Sequence, residues 1–394
     1  MRLVGQRRGP RAHRHRAEEG LSPVRPIPLF DCRVADAVSA AAVAVLASGQ
    51  LAAGRNVAAL EEAFSLRLTG RPVVSMSDMT HALTMALSLA GVAAGDEVLT
   101  LSFNCLSSNG AIAQLGARPV WLDIDPQTAS VSLQACAAAL TSRTRALMVY
   151  HVAGYPAPMR ALRQFCRDHG LALIEDANNA LGALIDGQPT GTFGDFAVFS
   201  LYANRQVNAV EGAMLVCPDA DTASRASQLR RFGIPASRFR DALGEIDPDC
   251  DVPQIGMSSA LTNVNASLGL AHLPSLDSRL ARNRTNVQVL TDQLQDLSAL
   301  RPVQPLAGNE PAYWVWLVHC DRRDEVLDQL KRAGVQCSKL HQPNHVYSGF
   351  AAAPRDLPGT AEFMQSVLAL PCGWWLDDDD LTALAGSVRT ALTA

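Results

Sequence analysis

Lysine is nearly absent from this chain. Only Lys331 and Lys339 occur among its 34 basic residues, and an arginine-heavy balance of this kind reads first as the mark of a GC-rich genome. The scarcity also limits which side chains can form an imine with a carbonyl compound. Excess positive charge is lacking as well. Against 38 acidic residues the net charge is −4, which excludes the broad positive field that nucleic acid or an acidic membrane surface selects. The nine cysteines (32, 105, 136, 166, 217, 250, 320, 337 and 372) are odd in number and form no Cys-x-x-Cys pair. Neither a disulfide scaffold nor a zinc ribbon is expected, no metal site is assigned, and the thiols read as reduced ones in a cytoplasmic chain. No long apolar run exists: the richest stretch, near Ala37 to Ala47, falls far short of the ~20 residues of a membrane span, and no signal-peptide h-region precedes it. Repeats of roughly 20 to 50 residues are missing, which removes solenoids and propellers.

What is present is 394 residues, 48% of them apolar, enough for a sizeable core and, at roughly 100–200 residues per domain, for two domains. Residues 1–25 carry Arg2, Arg7, Arg8, Arg11, Arg14, Arg16 and Arg25 with little that is apolar, and read as a disordered basic tail. From Pro26 onward short β-branched runs alternate with Ala- and Leu-rich amphipathic segments, the pattern of an α/β sheet wrapped by helices. Seven strands are predicted at 73–76, 97–101, 118–124, 145–150, 172–176, 196–201 and 212–217. Most are continuously apolar, as strands covered on both faces are. Helices are predicted at 34–48, 57–68, 80–90, 106–115, 132–140 and 158–169. After Asp219 come a helix (221–232), a loop rich in Asp, Pro and Gly, and a long helical stretch (259–298). A smaller α+β unit follows, with strands near 312–320 and 335–340 and helices near 323–333, 360–369 and 379–391. Residues 26–275 are assigned to a large domain and 276–394 to a small one.

Ligands of open α/β sheets bind beyond the carboxyl ends of the strands. Strand 172–176 ends Glu175-Asp176-Ala177-Asn178-Asn179, where an acid can hold a protonated ring nitrogen or a hydroxyl, or simply cap a helix. Strand 73–76 runs through Ser77-Asp78-Met79-Thr80 into a helix at His81, and free N–H groups at a helix start suit an anion. Strand 97–101 leads to Phe103, either a stacking platform or a core residue. Strand 196–201 carries Phe199-Ser200 and continues through Tyr202 to Arg205, with Glu211-Gly212 opening the next strand. His151, also at a strand end, reads as a structural histidine.

Taken in order, these segments resemble the DegT/DnrJ/StrS family of sugar aminotransferases over about residues 26–394. The anchors are Gly49 to Gly54 with Leu60-Glu61, Gly95-Asp-Glu-Val98, Val120 to Pro126, His151-Val-Ala-Gly154, Glu175-Asp-Ala177, Gly182-Ala183, Gly194-Asp195, Phe199-Ser200, Glu211-Gly212 and Leu370-Pro371. The resemblance implies the aspartate-aminotransferase-like fold (fold type I), with a seven-stranded large domain and a smaller α+β C-terminal domain. It also implies pyridoxal or pyridoxamine phosphate as cofactor, a nucleotide-linked keto sugar as substrate, and a homodimer, or a heterodimer with a paralogue. By position, Asp176 would pair with the pyridine nitrogen and keep the ring an electron sink. Phe103 would stack on the ring, Asn179 would lie near its O3′, and Ser200, Thr80 and the Met79 backbone would hold phosphate. His345 matches a histidine near the site in relatives.

The departures converge on one place. The Schiff-base lysine position is Arg205, and Val210-Glu211-Gly212 fixes that register. A guanidinium is far too basic to lose its proton at neutral pH, at a cost of roughly 9 kcal/mol, so no ordinary internal aldimine can form there. The Ser-Gly-Thr turn reads Asp78-Met79-Thr80, the cross-dimer Asn-x-Arg reads Ser258-Ser259-Ala260, and Asn178-Asn179 replaces Ala-Gln. Three readings remain: a lysine-free enzyme binding cofactor noncovalently, with His81 or Tyr202 as the nearby base; a pocket for another anion clamped by Arg205; or an inactive partner subunit. An unpaired buried Asp176 would be costly, so a salt bridge from Asp176 to Arg205 is expected. Asp78 either faces the phosphate cup or caps the helix that follows it.

Overall fold

The computed structural model describes residues 25–350, 352–353 and 355–393, so all but the last residue of the expected basic tail lies outside it. Arg25 itself is ordered, with Nη1 3.1 Å from Asp377 Oδ2. The seven expected strands form one mixed sheet: β1 (Val73–Met76), β2 (Glu97–Leu101), β3 (Arg118–Leu122), β4 (Thr144–Tyr150), β5 (Ala172–Asp176), β6 (Phe196–Ser200) and β7 (Ala213–Val216), in the order β1-β7-β6-β5-β4-β2-β3. Their continuous apolarity has the anticipated cause. Val98, Met148, Ile174 and Val198 pack into one buried layer, and their neighbours Leu99, Leu147 and Leu173 into another on the opposite face. Strand β7 is antiparallel to both β1 and β6, and the remaining pairs are parallel. Two successive reversals return β1 to the direction of the parallel set. Met76, Leu101, Tyr150, Asp176 and Ser200 therefore all end at one edge of the sheet.

The helices are α1 (Asp36–Ser48), α2 (Arg55–Arg67), α3 (Met79–Leu89), α4 (Leu106–Gln114), α5 (Leu133–Ala139), α6 (Met159–His169), α7 (Ala220–Leu229) and α8 (Asn263–His272). The helical stretch expected over 259–298 begins late, at the Thr262 N-cap, and is broken by a 3-10 turn at Leu273–Ser275 that contains Pro274. Helix α9 (Leu276–Leu294) continues from that turn.

The C-terminal unit is a three-stranded antiparallel sheet of β8 (Leu300–Pro302), β9 (Trp316–Cys320) and β10 (Val367–Leu370), with α10 (Arg323–Arg332), α11 (Pro358–Ser366) and α12 (Asp378–Thr393). Two expectations need correction here. Residues 335–340 make only isolated bridges, Val335 to Ile27 and Ser338 to Ala369, instead of a strand. Val367–Leu370, expected inside a helix, is the fully buried strand β10. A short run of apolar residues buried on all sides carries no period to tell helix from strand.

The two units are stitched together. Asp123 beyond β3 accepts hydrogen bonds from Gly359 N (2.7 Å), Thr360 N (2.6 Å) and Thr360 Oγ1 (2.7 Å) at the start of α11. Asn344 donates from its backbone to Ser102 O (2.8 Å) and from Nδ2 to Asn104 O (2.9 Å), and its Oδ1 accepts from Asn109 Nδ2 (3.0 Å). Among the described residues no helix is long and apolar enough to cross a membrane.

Candidate active site

A cavity of about 380 Å³ opens at the shared strand edge. Its walls come from the start of α3 (Asp78, Met79, Thr80), the β2–α4 turn (Cys105, Ser107), the end of β5 (Asn178, Asn179) and the segment after β6 (Ser200, Tyr202, Asn204, Arg205), with Glu211, Trp314 and His341 completing it. A larger cavity, about 640 Å³, lies between α7 and the loop after it and contains none of the strand-end residues.

At the start of α3, Asp78 resolves its two readings in favour of the cap. Its Oδ1 accepts from His81 N at 2.9 Å and its Oδ2 from Ser77 Oγ at 2.9 Å. Burial alone would raise its pKa, but these bonds and the His81 ring hold the carboxyl below its ordinary value. The Met79 and Thr80 N–H groups, in the first turn, have no intrahelical acceptor and stand at the cavity. The His81 ring, expected as a nearby base, is drawn to Asp78 Oδ2 and forms no part of the cavity wall, whereas half-exposed Tyr202 does. Ser200 Oγ lies beside Tyr202 N (3.2 Å) on that wall.

The expected salt bridge between Asp176 and Arg205 does not form, because Asn178 stands between them. Asp176 is fully buried. Its Oδ2 accepts from Asn104 Nδ2 (3.1 Å) and its Oδ1 from Asn178 Nδ2 (2.9 Å). Arg205 donates instead from Nε to Asn178 O (3.1 Å), from Nη2 to Asn178 Oδ1 (3.2 Å) and from Nη1 to Asn204 Oδ1. Its guanidinium lies over the Trp314 ring, 4.7 Å from the centroid. Burial pushes the Arg205 pKa down to about 10, so the group stays charged at neutral pH. Of five N–H donors, three are committed and two are left for a ligand.

Asn179 donates to Tyr150 Oη at 3.0 Å, and its own buried Oδ1 has no partner. Burial pushes the Glu211 pKa up, and the Asp78 charge adds to that. Phe103 is no platform in this structure: it is wholly buried, edge-on to Phe363 (5.0 Å) and His341 (5.3 Å), and contributes nothing to the wall. Ser258 is exposed, bridged to Arg231, and not among the residues that line the cavity. His345 is also displaced, its Nδ1 2.6 Å from Ser102 Oγ; the cavity histidine is His341, held neutral by burial and by Arg205, which bring its pKa down to about 4. His151 is structural, buried 3.1 Å from Glu175 Oε2. Sequence reasoning missed Trp314, His341 and Cys105; only the Phe103 segment flanking Cys105 offered any signal. Neither lysine reaches the cavity, and Lys339 Nζ sits 2.6 Å from Asp324 Oδ1.

The seven-stranded mixed sheet with its covering helices is the fold of the pyridoxal-phosphate-dependent sugar aminotransferases. The chain matches the DegT/DnrJ/EryC1/StrS aminotransferase family over residues 33–389, and it belongs to that family. It is similar to a GDP-perosamine synthase from Caulobacter vibrioides, 30% identical over 311 residues that cover 77% of this chain and 81% of that protein. Among solved structures it resembles the aminotransferase TlmJ from Streptoalloteichus hindustanus (31% identity, TM-score 0.87, 94% of this chain and 99% of that one). It also resembles the sugar aminotransferase CalS13 from Micromonospora echinospora (32%, TM-score 0.86, 92% and 99%).

The residues of this chain fit the family's cofactor at one end only. The α3 N–H groups and Ser200 suit a phosphate. At the other end Asp176 accepts from Asn104 and Asn178 and is not among the residues that line the cavity, and among the described residues no lysine lines it.

Proposed function

We propose that this chain is a lysine-free member of the family that binds a phosphate-bearing sugar ligand noncovalently, within amino-sugar biosynthesis, and does not itself transaminate it. One observation carries the reading: Arg205, at the Schiff-base position, is held by three hydrogen bonds and the Trp314 ring in the wall of a cavity that, among the described residues, no lysine lines. In this reading the Met79 and Thr80 N–H groups and Ser200 hold a phosphate, and Arg205 clamps a second anionic group. Glu211 and Tyr202 receive sugar hydroxyls. The name of the GDP-perosamine synthase relative supports a nucleotide-linked sugar as the ligand class.

The test is titration with pyridoxal phosphate, pyridoxamine phosphate and a nucleotide-linked keto sugar, followed by borohydride and intact-mass measurement. We expect saturable binding of a phosphate compound with no borohydride-stable adduct in the cavity. A stable adduct there, or amine transfer to the keto sugar, would overturn the proposal.

A further inference from the structure

The side chain of Asn178, which lines the cavity, lies between Asp176 and Arg205. Asp176 is a buried carboxylate, which is tolerated only with donors around it. Neutral amides supply them: Asn104 Nδ2 at 3.1 Å, Asn178 Nδ2 at 2.9 Å and Asn178 N at 3.4 Å. The other end of the Asn178 amide, Oδ1, accepts from Arg205 Nη2 at 3.2 Å. Chemistry dictates this orientation. Turning the amide over would set its oxygen against a carboxylate and its NH2 against a guanidinium, losing both bonds and adding two repulsions. The backbone reinforces it, since Asn178 O accepts from Arg205 Nε at 3.1 Å. Asn178 is thus held from both sides, is 5% exposed, and presents to the cavity the surface that Asp176 would otherwise present.

We infer that Asn178 is a specificity-determining residue that seals Asp176 from the cavity and so selects phosphorylated ligands without a cationic ring nitrogen. A protonated pyridine ring is stabilised by direct contact with a carboxylate, and here that carboxylate is already hydrogen-bonded by the Asn104 and Asn178 amides, the latter held in turn by Arg205. A neutral ring or sugar loses nothing by the arrangement. It finds instead the outward face of Asn178 and the unpartnered Oδ1 of Asn179, an acceptor suited to a hydroxyl. The inference rests on the reading of the cavity as a phosphate site.

Two phosphate esters, only one of which carries a ring nitrogen, test it: 3-pyridylmethyl phosphate and benzyl phosphate, with pyridoxamine phosphate alongside, each titrated calorimetrically against the full-length chain, Asn178→Ala and Asn178→Ser. Wild type should show no preference for the pyridine ring. Asn178→Ala should shift the ratio of affinities toward it by about tenfold or more, the worth of one charge-assisted hydrogen bond, with benzyl phosphate little changed. Asn178→Ser, which keeps a short donor, should fall between and serves if the alanine variant does not fold. An unchanged ratio in a variant that still binds benzyl phosphate overturns the inference, as does a folded variant that binds neither. If no form of the protein binds benzyl phosphate, the phosphate-site reading falls; a gain of the pyridine compounds by the variants alone would still support the seal.

Discussion

Replacing Arg205 by methionine should separate ligand binding from stability, and the size of each effect follows from the surroundings of the guanidinium. A charge-assisted hydrogen bond to a bound anion contributes about 1.5–3 kcal/mol, so Arg205→Met should weaken phosphate binding by roughly 10- to 150-fold. The fold should hardly notice. Losing the Trp314 stack at 4.7 Å forfeits about 1–2 kcal/mol, and of the three freed acceptors one belongs to half-buried Asn204 and two to buried Asn178, both of which line the cavity. Against that stands relief of charge burial: a pKa pushed down to about 10 means the site disfavours the charged form by about 3 kcal/mol. The opposing contributions leave a stability change within about 2 kcal/mol of zero. Calorimetric titration with inorganic phosphate and pyrophosphate reads the first effect, and urea unfolding the second. Unchanged phosphate affinity in the folded variant would refute the clamp, and a stability loss above about 4 kcal/mol would show Arg205 to be a structural residue instead.

Other consequences can be checked separately. Arg205→Lys, incubated with pyridoxal phosphate and borohydride, should acquire a covalent label at position 205 that wild type never shows; peptide mapping that finds the label only elsewhere would place position 205 out of reach of the aldehyde. His272 is 1% exposed, neither ring nitrogen has a partner, and burial brings its pKa down to about 4. It is neutral when folded and takes up a proton more readily when unfolded, so its contribution is whole above pH 6.5 and is lost as pH falls toward 4, by up to about 3 kcal/mol. His272→Leu should flatten that acid limb in urea melts between pH 7 and 4, and an unaltered slope would contradict the burial. Gly194→Ala would bring a Cβ within 2.6 Å of Phe196 O and 2.8 Å of Leu173 O, both backbone atoms. Overpacking of this kind costs about 1–3 kcal/mol or more, and a thermal midpoint equal to wild type would be incompatible with it.

The large sheet was legible because burial on both faces writes itself into composition: Val98-Leu99 and Met148-Val149 can be read as strand without knowing their partners. The small sheet was harder. Val367–Leu370 follows directly on helix α11, which ends at Ser366, and gives no turn signal, while Val335 and Ser338 make isolated bridges without a ladder. At the site, positions near strand ends were found, since the sheet edge gathers them in chain order. What those side chains do there depended on contacts no spacing encodes. Phe103 turned into the core because Phe363 and His341 offer it edges, and Arg205 met Trp314 from a segment more than a hundred residues away. Asp176 and Arg205 were rightly suspected of sharing a neighbourhood. The amide standing between them could not be seen until both of its ends had partners.

The stitching of the C-terminal unit to the sheet edge bears on how fast a ligand can arrive. Because Asn344 and Asp123 fasten the segments beside His341 and α11 to fixed backbone atoms, the cavity wall is already assembled before anything enters. Association is then expected to proceed without rearrangement of the segments that Asn344 and Asp123 hold. In stopped flow it should show one phase whose rate climbs linearly with ligand concentration, without the plateau that a slow closing step imposes.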